Sequence, residues 1–334
     1  MLTAMKTVTE IAEEISAATG GAVRFYSQTA PEKTRWLWEP YIPRGKITII
    51  QGDPGEGKST LVLALAAAVS RGRAFPSDTV TREPQFVLYQ NAEDGVADTI
   101  RPRLDAAGAD SRYVLRICEG EEPLSITDRR LVRLLDYMRP VMVVLDPLQA
   151  YLGSEVDMHR ANEIRPLMST LSEIADTYNC AVVLIGHMNK MQGIKSIYRG
   201  LGSIDLTAAA RSVLTVAKDP AKPENRVIFQ VKNSLAPMAA PAAFTLSGGA
   251  FSWLGEYEAD IGKFLAAEAK TVRPVEKAEA FLQKWLTDAE PKMLQREILE
   301  TADSEGISYA ALRRAKNRLG IRSIREQDQW YWTV

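Results

Sequence analysis

Between Gly52 and Ser59 the chain reads Gly-Asp-Pro-Gly-Glu-Gly-Lys-Ser, which fits G-x-x-x-x-G-K-[ST]. Few short strings restrict a fold as much, because this one functions only in one local setting. Its glycines let successive backbone N–H groups turn inward around phosphate oxygens, and the helix behind it adds its positive N-terminal end. That setting is present: Ile47–Ile50 reads as a buried strand entering the loop, and Leu61–Ser70 as an alanine-rich helix leaving it. The pattern predicts a site for ATP with Mg²⁺ built from Gly52, Asp53, Pro54, Gly55, Glu56, Gly57, Lys58, Ser59 and Thr60. Lys58 would face the β- and γ-phosphates, and the Ser59 hydroxyl would ligate the metal.

A strand entering a phosphate loop needs neighbours. Phe86–Gln90, Val114–Ile117, Val141–Leu145 and Ala181–Ile185 are apolar runs of strand length separated by helical segments. Runs without polar alternation mark parallel strands covered on both faces. Ser212–Ala217 with Arg226–Val231, and Ala243–Leu246 with Phe251–Leu254, read as hairpins. The expected fold class is therefore α/β: a mostly parallel sheet extended by antiparallel strands. Upstream, residues 3–19 read as an amphipathic helix ended by Gly20-Gly21, and Trp36 and Trp38 as packing against the main domain. Downstream, Glu268–Pro274 reads as a linker. Val275–Leu286, Leu294–Ala302 and Tyr309–Leu319 read as short helices, the last with Ser308 as N-cap and Gly320 just past its end. Ser323–Val334 reads as a terminal strand or hairpin. Three helices and a β-wing describe a winged-helix-like domain. The expected boundaries are 1–35 for an N-terminal arm, 36–255 for the nucleotide domain, 256–275 for the linker and 276–334 for the winged helix.

Composition narrows the partners. With 41 Lys and Arg against 42 Asp and Glu, the formal net charge is -1, so affinity for nucleic acid must come from local patches. The 2 cysteines and 2 histidines leave little for a zinc site or a disulfide framework, which suits a cytoplasmic chain. No apolar run reaches membrane-spanning length and no signal peptide is apparent, so no membrane is expected as a partner.

Asp146 ends the apolar run Val141–Leu145, where a carboxylate beside a phosphate loop can hold Mg²⁺ directly or through water. Glu93 and Asp94 follow the strand Phe86–Gln90, at the edge where the γ-phosphate would lie. Glu93 is the candidate for orienting the attacking water, with Asp94 the other choice. His187, after the run Ala181–Gly186, is a candidate γ-phosphate sensor.

The ordered set resembles the RecA-like ATPases, specifically their RepA-type hexameric helicase branch. Besides the loop and Asp146, it comprises Asn91-Ala92-Glu93-Asp94, Gly186–Lys190, Tyr198–Ser203, Ala210-Arg211-Ser212 and Val231-Lys232-Asn233. The resemblance covers roughly residues 36–254. It implies a homo-oligomer, in the fullest case a hexamer, with ATP at subunit interfaces and a neighbour's cation completing each site. Arg211 and Lys232 are the candidates. Ring helicases often carry a second basic residue two positions after the lysine; here Ser234 stands there.

Two segments could touch DNA. Lys190, Lys195 and Arg199 lie in an acid-free stretch that could hold single-stranded DNA in a central channel. Residues 306–325 hold Arg313, Arg314, Lys316, Arg318, Arg322 and Arg325 and no acid, a pattern suited to duplex DNA on a third winged-helix helix. The first four, on the helix itself, are the candidate contacts. The leading expectation is a DNA-dependent ATPase acting as a RepA-like replicative helicase or translocase. The alternatives are a RecA/RadA-like recombination or loader ATPase, and a nucleotide-gated DNA-binding switch.

Overall fold

The structure, a computed structural model, describes residues 6–78, 81–120, 122–153, 156–158, 160–187, 204–247, 250–259, 264, 274–286, 292–326 and 328–333. The chain divides into two compact units, Met1–Val216 with Arg226–Tyr257, and Ala217–Asn225 with Glu258–Val334.

The first unit is organised around a nine-stranded sheet. Its strands are β3 (Ile47–Gly52), β4 (Val87–Asn91), β5 (Val114–Leu115), β6 (Met142–Asp146), β7 (Ala181–His187), β8 (Ser212–Lys218), β9 (Asn225–Asn233), β10 (Ala242–Ser247) and β11 (Ala250–Glu256). They lie in the order β11-β10-β9-β8-β3-β7-β6-β4-β5. The six from β8 to β5 pair in parallel, and β10 pairs antiparallel with β11. The chain thus has the mixed, mostly parallel architecture expected of it.

The apolar runs fill two cores because successive strand residues face opposite sides. Ile50, Met142, Val144, Val183 and Ile185 join the layer under α2 (Lys58–Arg71) and α3 (Arg101–Ala106). Ile47, Ile49, Val143, Leu145, Val182 and Leu184 join the opposite layer, under α4 (Arg129–Met138) and α5 (Ala161–Tyr178). Leu184 is 0% exposed; cutting a leucine of this kind to alanine costs about 2–5 kcal/mol.

Several boundaries differ from the sequence expectation for identifiable reasons. Helix α1 spans Val8–Ala18 instead of 3–19, because Thr7 and Glu10 form a capping box that starts it. Strand β5 stops at Leu115 instead of reaching Ile117. The Ile117 N–H donates to Gln90 Oε1, and the Ile117 carbonyl accepts from Gln90 Nε2, so a side chain replaces the ladder. Trp38, on β1 (Trp36–Trp38) beside β2 (Ile42–Pro43), is fully buried, stacks 4.1 Å from Tyr41 and donates to the Pro76 carbonyl.

The second unit holds α7 (Pro274–Trp285), α8 (Gln295–Ser304), α9 (Tyr309–Arg318) and the strands β12 (Lys292–Leu294), β13 (Arg322–Glu326) and β14 (Gln329–Thr333), ordered β12-β14-β13. α6 (Ile204–Ala209) belongs to the first unit. Ala278, Phe281, Leu282, Ile298, Leu312, Ala315 and Trp332 form the core of the second. Ser308 caps α9 through the Ala311 N–H, as the sequence predicts. The sequence reading does not anticipate β12: its three residues become a strand by pairing with β14, far along the chain. The expected linker falls almost wholly outside the described residues, and Pro274 already opens α7. Among the described residues no helix is long and apolar enough to cross a membrane.

Candidate active site

Four strands deliver their last residues to one edge of the sheet: Gly52 from β3, Asn91 from β4, Asp146 from β6 and His187 from β7. Register aligns them, with Gly52 opposite His187 and Asn91 opposite Asp146. This is the carboxyl edge, where ligands of open α/β sheets bind.

The phosphate loop leaves β3 at Gly52. A Cβ there would come within 2.3 Å of the Val216 carbonyl oxygen, so only glycine lets β3 turn this close to β8. Gly57, the N-cap of α2, has φ 87° in the left-handed region that favours glycine. Lys58 is 4% exposed and its Nζ donates to the carbonyls of Gly52 and Asp53, both at 2.9 Å. Burial pushes its ammonium below the usual lysine range, while the negative charges of Asp146, Asp53, Glu56 and Glu93 pull it back up. Phosphate oxygens would replace the two carbonyls as acceptors and supply the charge that a buried ammonium lacks.

Asp146 is 3% exposed. Tyr89 donates its hydroxyl to Asp146 Oδ2 at 2.6 Å, and Asn91 Nδ2 reaches the same oxygen at 3.3 Å. Both donors converge on one oxygen, and among the described residues no other hydrogen bond engages the carboxylate. Among those residues no group of three or more His, Cys, Asp and Glu side chains could hold a metal alone. The donor set suits an ion that arrives with phosphates: one hydroxyl from Ser59, one carboxylate from Asp146, and oxygens of the nucleotide and water. Such an ion would neutralise charge on the β- and γ-phosphates.

Beyond β4 the chain turns back on itself. Asn91 Oδ1 accepts the N–H groups of Glu93 at 3.1 Å and Asp94 at 2.7 Å. Asp94 forms an ion pair with Arg103 at 2.9 Å. Glu93 is exposed and lies near enough to Lys58 to raise its proton affinity.

The other candidates lie elsewhere. His187 has its backbone at the loop mouth by register, and its side chain lies outside the described residues, as do Lys190, Lys195 and Arg199. The Arg211 N–H donates to the Ile47 carbonyl, at the opposite end of β3 from the loop. Five residue steps along the strand lead from Ile47 to Gly52, about 16 Å at roughly 3.3 Å per step. Lys232 Nζ donates to the carbonyls of Thr207 and Ala208, at the C-terminal end of α6, and feels the positive charge of Arg211. In the second unit Arg313 and Arg314 are exposed. Arg318 pairs with Glu279 at 3.2 Å, and the Lys316 ammonium sits 4.7 Å from the Trp332 ring centre, where burial lowers its proton affinity.

Tyr89 had no part in the sequence-based site, and Asn91 entered only through a motif string. Their available signal was position: both lie two-apart on β4 just before Glu93, so both share a face of the strand.

A phosphate loop, a buried strand-end carboxylate and a second carboxylate beside it, on a sheet of this order, define a RecA-like P-loop ATPase domain. A family model described as an AAA domain (AAA_25) matches residues 14–193, more than half of the chain. The chain belongs to that family. It is 29% identical over 163 residues to the DNA repair protein RadA of Listeria monocytogenes, covering 48% of this chain and 31% of that protein. For the RadA of Halalkalibacterium halodurans the figures are 28% over 167 residues, 49% and 32%. For that of Mycobacterium tuberculosis they are 30% over 151 residues, 44% and 28%. The matched part spans about a third of the length of these curated relatives.

Proposed function

We propose that the chain is a DNA-dependent ATPase that hydrolyses Mg²⁺-ATP at the interfaces of a homo-oligomer, a RepA-like hexameric ring in the fullest form of the reading, and moves along or opens DNA in the cytoplasm. Gly52–Thr60 would hold the nucleotide, Ser59 and Asp146 the metal, and Glu93 the attacking water. His187 would report on the γ-phosphate. The observation that carries the proposal is the distance between Arg211 and the loop. Arg211 and its neighbour Lys232 sit at the far end of β3 from the phosphate loop of their own chain. A cation so placed stands too far from its own loop to meet a transferring phosphoryl group there, which supports a role at an adjoining subunit. In this reading the stretch with Lys190, Lys195 and Arg199 follows single-stranded DNA. The second unit acts as a winged helix whose α9 offers Arg313 and Arg314 to duplex phosphates, with Lys316 and Arg318 beside them.

A second reading, a recombination or loader ATPase that remodels DNA without processive unwinding, draws support from the likeness to DNA repair proteins RadA. ATP hydrolysis measured with and without single-stranded DNA, coupled to strand displacement on a forked duplex, separates the two. Stimulation with displacement supports the helicase. Stimulation without displacement supports the second reading. No response to any DNA overturns both.

A further inference from the structure

We propose that Asn91 is a positioning residue whose single carboxamide couples the Asp146 carboxylate to the turn that presents Glu93. The inference rests on the reading of Asp146 and Glu93 as the metal and water carboxylates. Asn91 is the last residue of β4 and stands opposite Asp146 in the parallel ladder. Its Nδ2 donates to Asp146 Oδ2, and its Oδ1 accepts the N–H groups of Glu93 and Asp94. The Ala92 N–H, between them, donates to the Asp146 main-chain carbonyl at 3.0 Å. Tripeptide 92–94 is thus tied to the Asp146 residue through both its backbone and its side chain.

The orientation of the amide follows from its partners. Turning it over would set an oxygen against a carboxylate and an NH₂ group against two N–H donors. No other side chain of this length has a donor and an acceptor on one rigid plane. Aspartate keeps the acceptor that closes the turn but places a second negative charge beside Asp146. Alanine loses both. The 2.7 Å bond to the Asp94 N–H is much the shorter, so the turn is the firmer of the two connections. Tyr89 supplies the stronger donor to Asp146, and Asn91 supplies the link. The Asp94–Arg103 pair anchors the far side of the turn.

The test combines Asn91→Ala, Asn91→Asp and Glu93→Gln in the full-length protein. Readouts are hydrolysis kinetics, binding of a fluorescent ATP analogue with and without Mg²⁺, and amide exchange over residues 92–95 without nucleotide. Asn91→Ala should lower kcat about 10–100-fold, the usual cost of removing a group that orients a metal-binding carboxylate. Analogue affinity should change less than about threefold, a KM-against-kcat split that unfolding would not give. Exchange at Glu93 and Asp94 should rise about tenfold with two hydrogen bonds lost. Asn91→Asp should keep those amides protected yet lose turnover and the Mg²⁺-dependent gain in binding. Normal turnover in either Asn91 variant, with Glu93→Gln impaired, overturns the coupling and leaves the site standing. Normal turnover in Glu93→Gln overturns the underlying reading, and the coupling with it.

Discussion

Tyr89 and Asp146 satisfy each other in the interior of the sheet, the phenolic hydroxyl donating across 2.6 Å to Oδ2 of a carboxylate that is 3% exposed. Burial first, and the Asp146 charge second, push the Tyr89 hydroxyl well above the ordinary tyrosine range. Tyr89→Phe keeps the ring and removes the donor, and a hydrogen bond to a charged group contributes about 1.5–3 kcal/mol. Urea unfolding at neutral pH should show a loss of that size. Above about pH 10 the unfolded chain gives up the Tyr89 proton while the folded chain keeps it, so stability falls as pH rises. The fall should be shallower in Tyr89→Phe, and equal slopes would count against the assignment.

Lys58→Ala removes the buried ammonium that bonds the Gly52 and Asp53 carbonyls at the loop. Binding of a fluorescent ATP analogue should drop to background, because phosphate would face the loop without its cation. Asp146→Asn should instead keep metal-free binding and lose the added affinity that Mg²⁺ brings. Wild-type titrations for both variants would remove the site from this edge of the sheet.

Glu93→Gln should bind ATP normally and turn it over about 10²–10⁴-fold more slowly, the span of a positioned acid–base group. Asp94→Asn should cost less, because Asp94 is committed to Arg103. Single-turnover hydrolysis reads both. A larger loss in Asp94→Asn would reverse the roles.

Arg211→Ala should bind ATP yet fail to hydrolyse it. Mixed with Lys58→Ala subunits, it should recover part of the activity at interfaces that combine an intact loop with an intact arginine. Lys232→Ala should behave likewise if its ammonium leaves the Thr207 and Ala208 carbonyls for a neighbouring site. Assembly confirmed by light scattering, with no recovery at any mixing ratio, would confine these residues to their own subunit.

Replacing Arg313 and Arg314 together with alanine should weaken duplex binding and flatten its salt dependence by about two units of slope, roughly 0.9 per phosphate contact. Basal ATPase should persist. Lys316→Ala should act differently, lowering the stability of the second unit, since its ammonium sits over the Trp332 ring. Unchanged salt slopes in the double variant would leave the exposed arginines without a DNA role.

Sequence alone determined the parts of this protein that depend on neighbours in the chain. The loop glycines, Lys58 and Ser59 must be contiguous to wrap a phosphate. The apolar runs that end at Asp146 and His187 announce strands buried on both faces, because such burial permits no polar alternation. Ser308 marks a helix start through a bond three residues long. Tertiary structure decided what depends on pairing across distance. Strand β12 forms by pairing with β14, and β5 ends where the Gln90 side chain takes over its ladder. Tyr89 and Asn91 join the site because parallel register sets β4 beside β6, a relationship that closes a loop of over fifty residues and leaves no local mark. Arg211, adjacent in sequence to the start of β8, is carried to the far end of β3 for the same reason: a parallel strand begins at the opposite edge from the one where its neighbour delivers the phosphate loop.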